Sequence, residues 1–427
     1  MTKYLNPLFF RIKQSKFLQD SFYAILGNGV GQFLLLISGI LIARFLGKDI
    51  YGEYGVAKTN MFYMAGFATF GLVYTSTRFI AKYIKEDKSK VIGVVKTSSV
   101  VSLVFSSSIA VVIVILAKPL ANYLNTPSLS DVFSYLSVII ILKALSSTST
   151  GILSGLGLFK SISINLLISG ITMLVLCVPF TYWYGLRGSL CSLLISQLVN
   201  TITNYYCIIR ECKEYPIYYN KNHYAQLLKF SFPVALQEVS YSICNWAGIL
   251  FLTKMSSIGE VGIYSATAQW NAVIMFIPGL LANVVLSHLS GSAEKGQSKK
   301  IKRIMLIYLM CTLIPFIVIY CLTPFIVSMY GSEFTSMKKV LRLMIFATIP
   351  TCCSDVYKAE FLAVGKPWML FILRMTKDLL LLGLTYFLLT ISCGNEGSYC
   401  YALSNVCAAI YFFCATAIVY NTKLSVK

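Results

Sequence analysis

The chain has 427 residues, of which 57% are hydrophobic and only 12% charged, and its 36 Lys and Arg against 16 Asp and Glu give a net charge of +20. Soluble domains carry about twice that charged fraction, so a core this apolar has too little polar skin to cover it, and a soluble globular domain is excluded. The basic excess would point to nucleic acid in a soluble chain, but here Lys and Arg gather in the short gaps between apolar runs, so no nucleic-acid partner is expected.

The first residues, Met1–Asp20, read as an interfacial segment, with Phe9, Phe10, Phe17 and Leu18 toward lipid and Lys13 and Lys16 toward headgroups. They lack the small-residue cleavage pattern of a signal peptide. Apolar runs of about 20 residues then recur to the end of the chain, the length that crosses a bilayer as a helix. They predict twelve spans, at roughly 19–45, 56–80, 92–117, 131–155, 161–183, 187–209, 227–253, 261–289, 303–326, 339–363, 367–391 and 398–420. Runs such as Val100–Leu116 do not alternate, which argues against β-barrel strands. No gap is long enough for a separate folded domain. The expected class is an all-α membrane protein.

Loop charge sets the orientation. One set of connections holds Lys82, Lys85, Lys88 and Lys90, then Lys295, Lys299, Lys300, Lys302 and Arg303. The alternate set is sparse, with Lys48, Lys118, Arg187, Lys254, Lys338 and Lys339. The rich set faces the cytoplasm, so both termini are expected there, as an even number of spans requires.

The chain also repeats itself. Ser21-Phe22 matches Ser231-Phe232, Gly52-x-Tyr54 matches Gly262-x-Tyr264, and Lys85 and Lys90 match Lys295 and Lys300, all at one offset. Six spans per half means two repeats of the same orientation, 1–215 and 216–427. These are expected as two six-helix bundles around a central cavity, an architecture of transporters that alternate access.

Enzyme chemistry finds little support. The two histidines, His223 and His288, exclude His-rich metal sites and most His-based triads, and no Gly-x4-Gly-Lys-[Ser/Thr] loop exists for ATP. No metal, cofactor or catalytic residue is called for, and any driving energy comes from an ion gradient or from consumption of product. The 13 cysteines form no Cys-x-x-Cys pair and are expected as free thiols; Cys393 and Cys400, which share one outward loop, are the single candidate disulfide.

Four segments carry a family likeness. The stretch Leu41-Ile42-Ala43-Arg44-Phe45-Leu46-Gly47-Lys48-Asp49-Ile50-Tyr51-Gly52-Glu53-Tyr54 resembles the loop after the first span of Wzx-type O-antigen and repeat-unit flippases. These belong to the multidrug/oligosaccharidyl-lipid/polysaccharide exporter superfamily. Ile258-Gly259-Glu260-Val261-Gly262-Ile263-Tyr264-Ser265-Ala266, Gly155-Leu156-Gly157-Leu158-Phe159-Lys160 and Tyr184-Gly185-Leu186-Arg187-Gly188 fit the same family. The likeness covers nearly the whole chain, but its motifs are glycine turns and a tyrosine at a helix start, so they mark a fold family rather than a substrate. It implies movement of an undecaprenyl-pyrophosphate-linked oligosaccharide across the bacterial inner membrane, for O-antigen, lipopolysaccharide or other surface polysaccharide. A polysaccharide polymerase and a chain-length regulator are the implied partners. Two alternatives stand beside this: a multidrug antiporter of the same superfamily, which would want an acidic cavity, and a membrane-embedded polysaccharide polymerase, which would want a large extramembrane loop.

Charges inside spans name the candidate site, because one at the bilayer centre costs about 2.5–3.5 kcal/mol. Lys143 lies deep in the fourth span, Asp355 and Lys358 in the tenth, and Arg374, Lys377 and Asp378 in the eleventh. Asp355 with Lys358, and Arg374 with Asp378, are spaced to pair on one helix face, which leaves Lys143 and Lys377 without a local partner. A hydrated cavity that takes a pyrophosphate or acidic sugar would relieve them. Arg44, Arg78 and Arg342 sit nearer span ends, where Lys and Arg snorkel to headgroups, although Arg44 and Arg78 also suit cavity mouths. Lys143, Arg374, Lys377, Lys358, Arg44 and Arg78 are therefore the candidate substrate-binding residues, and Glu238 and Asp355 the candidates for ion coupling. Glu238 has two readings: a proton carrier, or a carboxyl hydrogen-bonded for packing. Ser146-Ser147-Thr148-Ser149-Thr150 offers hydroxyls to sugars or to neighbouring helices, and Gly151-x3-Gly155 points to close packing.

Overall fold

A computed structural model describes residues 16–69, 71–123, 129–216, 222–290, 297–363, 366–392, 394 and 396–423. Among them the chain forms eleven α-helices: α1 (Lys16–Ala68), α2 (Leu72–Glu86), α3 (Val91–Tyr123), α4 (Leu129–Gly155), α5 (Phe159–Cys212), α6 (Asn222–Met255), α7 (Ile258–Ser290), α8 (Gln297–Tyr330), α9 (Met337–Ala363), α10 (Pro367–Ile391) and α11 (Gly397–Lys423). Seven of the helical stretches are long and apolar enough to cross a membrane. The protein is an all-α membrane protein.

Two helices are bent doubles. Gly47 (φ 71°, ψ 172°) breaks α1, and Gly185 (φ 54°, ψ −132°) breaks α5. Both conformations are open to glycine and strained for other residues. The sequence divides these regions into spans at the same places, ending at about 45 and 183. The second span departs from expectation. It reads as one run over 56–80, whereas the helix stops at Ala68 and restarts at Leu72 behind Gly71, whose φ is 67°. The Leu72 N–H spans the gap by donating to the Thr69 carbonyl at 2.8 Å, and the Thr69 hydroxyl donates back to the Gly66 carbonyl at 2.9 Å.

The chain divides into two compact units. The first comprises 1–38, 64–117 and 133–239, and the second 39–63, 118–132 and 240–427. In the first, Leu72, Ile80, Val91, Val94, Ile152 and Ile208 bury fully where α2, α3, α4 and α5 meet. Gly151 and Gly155 face α2. A Cβ on Gly151 would lie 2.8 Å from the Val73 Cα, and one on Gly155 2.8 Å from the Ile80 Cβ. The Thr77 hydroxyl donates to the Gly151 carbonyl at 2.8 Å. The glycine pair therefore serves packing, as its spacing predicts.

In the second unit α9 is central, touching α7, α8, α10 and α11. Tyr51, Tyr330 and Phe334 bury completely, with Tyr51 5.9 Å and Tyr330 5.5 Å from the Phe334 ring centre. The broken start after Gly47 leaves the Lys48 N–H without a helical acceptor; the Glu333 carboxylate accepts it at 2.8 Å. Glu260 does the same for α11, taking the Ser398 N–H at 2.8 Å and its hydroxyl at 2.5 Å.

The internal repeat reappears here as a reciprocal contact. A Cβ on Gly52 would overlap the Ile258 carbonyl, and one on Gly262 would overlap the Lys48 carbonyl and lie 3.0 Å from the Gly52 nitrogen. Gly55 abuts Ser265, whose Cβ would lie 2.8 Å from an added methyl. Lys48 and Ile258, Gly52 and Gly262, and Gly55 and Ser265 are repeat equivalents, so residue i meets the counterpart of j and j the counterpart of i. That reciprocity is the mark of a two-fold contact.

Candidate functional site

Asp355 and Lys358 of α9 and Arg374, Lys377 and Asp378 of α10 form one cluster in the second unit. Lys358 and Asp355, one helical turn apart, stand 3.9 Å apart and are 39% and 31% exposed. Lys377 reaches the Asp378 carboxylate at 3.2 Å, and that aspartate is buried at 1%. Lys377 thus has the local partner that the helix spacing did not supply. Asp355 feels Lys358, Arg374 and Lys377 together. Three cations against two carboxylates leave the cluster with a net positive charge.

An aromatic ring from another helix organises it. Tyr241 of α6 lies under both cations of α10: the Arg374 Cζ is 4.5 Å, and the Lys377 Nζ 5.6 Å, from its ring centre. Phe412 of α11 approaches Lys377 at 6.0 Å. Tyr63 meets Tyr241 edge-on at 6.1 Å, and its hydroxyl lies 3.5 Å from the Asn245 side-chain oxygen. A second tyrosine pair, Tyr264 and Tyr401, packs at 4.7 Å, both buried. A cation over an aromatic face is attracted by the ring quadrupole, most strongly where water is scarce.

The other predicted residues fall elsewhere. Lys143 is half-buried on α4 in the first unit and is not a bare cation. Arg44 on α1 and Arg78 on α2 are exposed. Arg342 lies over the Tyr320 ring, its Cζ 4.8 Å from the ring centre. Glu238 lies on α6 one turn before Tyr241, and its side chain is outside the described residues, as is Cys393. The other twelve cysteines are free.

The hydroxyl run after Lys143 is spent on packing. Thr148 donates to Ser102 at 3.0 Å, Asn200 to Ser146 at 2.8 Å, and Asn204 to Ser149 at 3.1 Å. Asn165 and Ser169 extend this buried polar seam, to Asn204 at 2.8 Å and to Ser196 at 2.9 Å.

A family model described as "Polysaccharide biosynthesis protein" matches residues 17–286. The chain belongs to this family. It is 23% identical over 298 residues to an uncharacterized membrane protein of Methanocaldococcus jannaschii, covering 66% of this chain and 70% of that one. Its fold is that of the superfamily that the sequence motifs indicate. An inward-facing multidrug resistance MATE family transporter of the MOP superfamily superposes with a TM-score of 0.77 at 16% identity, over 92% of this chain and 96% of the other. A MOP superfamily transporter from Pyrococcus furiosus, described as having a binding pocket of reversed polarity, gives a TM-score of 0.65 at 15% identity, over 94% and 95% of the two chains.

Proposed function

We propose that this member of the polysaccharide biosynthesis family is a flippase. Its cargo is an undecaprenyl-pyrophosphate-linked oligosaccharide, carried from the cytoplasmic to the outer leaflet of the bacterial inner membrane. The halves 1–215 and 216–427 act as its two lobes, both termini are cytoplasmic, and no covalent step occurs. The observation that carries this reading is the net-positive cluster of Lys358, Arg374 and Lys377 on the apolar helices α9 and α10. Charge inside an apolar helix is expensive in lipid, and a pyrophosphate headgroup is an anion that repays it through charge-assisted hydrogen bonds. Lys143, Arg44 and Arg78 are the further cations proposed to meet the substrate, while Glu238 and Asp355 are the carboxylates suited to coupling transport to an ion. Exporters of cationic compounds want the opposite sign in their cavity. The product passes to a polysaccharide polymerase and its chain-length regulator in the same membrane.

Reconstitution tests this. Proteoliposomes carrying the purified protein and a fluorescent polyprenyl-pyrophosphate oligosaccharide are expected to equilibrate the label between leaflets, read by quenching from outside. Vesicles holding Arg374→Ala, Lys377→Ala protein should move it far more slowly. Export of a cationic dye with no movement of the lipid-linked sugar would contradict the reading.

A further inference from the structure

We infer that Tyr241 is a positioning residue that yokes Arg374 and Lys377 into one site for a diphosphate, a ligand with two adjacent anionic groups. The inference rests on the flippase reading and adds the residue that arranges the cations of that cluster. Arg374 and Lys377 are one turn apart on α10, and long flexible side chains at that spacing have no intrinsic reason to share a target. Tyr241 supplies one. With the Arg374 Cζ at 4.5 Å and the Lys377 Nζ at 5.6 Å from a single ring centre, the two charges stand no more than about 10 Å apart. Tyr63 braces that ring edge-on at 6.1 Å, and Phe412 holds Lys377 from another helix at 6.0 Å.

The geometry suits an anion in a further way. A guanidinium engages a ring through its flat face, while its N–H donors lie in its own plane. The attraction to the ring therefore restrains Arg374 beside Lys377. Asp378 pairs with the Lys377 ammonium at 3.2 Å while the Tyr241 ring holds it at 5.6 Å, so an incoming phosphate exchanges with the carboxylate rather than with the ring. Two cations held ready remove the ordering cost that two free side chains would impose on binding.

The test substitutes residue 241 in the full-length protein and measures binding of farnesyl diphosphate and farnesyl monophosphate in nanodiscs. Wild type and Tyr241→Phe should bind the diphosphate within about twofold of each other, since both keep the ring face. Replacing Tyr241 by mono-, di- and trifluorinated phenylalanines changes ring electronics at nearly constant shape. Diphosphate affinity should then fall stepwise, to roughly tenfold weaker in total, with a smaller effect on the monophosphate. A flat fluorination series would overturn the inference while leaving the flippase reading intact, provided that Arg374→Ala, Lys377→Ala still loses binding. Undiminished binding in that double variant would overturn both.

Discussion

Arg374 and Lys377 sit on α10, yet what arranges them is a tyrosine of α6. The charges are legible in the sequence because each interrupts an apolar run where it costs energy. The Asp355–Lys358 pair is legible too, from its helical spacing, and forms at 3.9 Å. Tyr241 is not, being one of 28 tyrosines in a chain where aromatic residues inside spans carry no penalty. Its one local signal is its place a turn after Glu238. Spacings of i,i+3 and i,i+4 leave Lys377 without a local partner, whereas its carboxylate is the adjacent Asp378. Asp378→Asn should leave Lys377 without that counter-charge. It is expected to lower stability by on the order of 3 kcal/mol in a thermal melt and to tighten diphosphate binding; unchanged stability would mean that the pair does not hold α10 in place. Glu238→Gln should insert normally and lose transport driven by a pH gradient. Unaltered gradient dependence in reconstituted vesicles would remove Glu238 from the mechanism.

At the level of elements, turns and repeats are readable because glycine leaves a physical trace. Gly47 and Gly185 mark the bends of α1 and α5, at positive φ in both cases. The interruption between α1 and α2 carries one such glycine, Gly71, but hydropathy runs straight through it, because its flanks, Ala68 and Leu72, are as apolar as the rest of the run. Periodicity sees burial, and both sides of the break are buried. The repeat offset is visible as pairs of residues, but their mutual packing is not, since a sequence match does not say that two matched segments touch. Gly52→Ala and Gly262→Ala each push a methyl into a backbone carbonyl, Ile258 and Lys48 respectively. Each should cost about 1–3 kcal/mol, read as a lowered melting temperature in detergent. Gly93→Ala, where an added Cβ meets nothing within 4 Å, should be tolerated. Equal melting temperatures for all three variants would contradict the close crossing.

For the whole molecule, composition together with long apolar runs that do not alternate identifies an all-α membrane protein, because lipid admits only helices and closed barrels, whose backbone groups pair internally. Family membership and the shared transporter fold then bound the function. Orientation rests on loop charge. Cysteines introduced at Ser89 and Ser298 in a background with all native cysteines replaced should react with an impermeant maleimide only after the cytoplasmic side is opened. Labelling in intact cells would invert the topology. The central claim, that cations within the apolar helices carry an anionic headgroup, is tested most directly by surface glycan. Cells that depend on this protein at limiting expression would carry Lys143→Ala, Arg374→Ala, Lys377→Ala or Arg374→Lys, with protein abundance followed by immunoblot. The three alanine variants are expected to display markedly less glycan at near-normal protein levels, with Arg374→Lys restoring part of it because lysine keeps the charge but not the fork. Wild-type glycan from all three alanine variants would contradict the account.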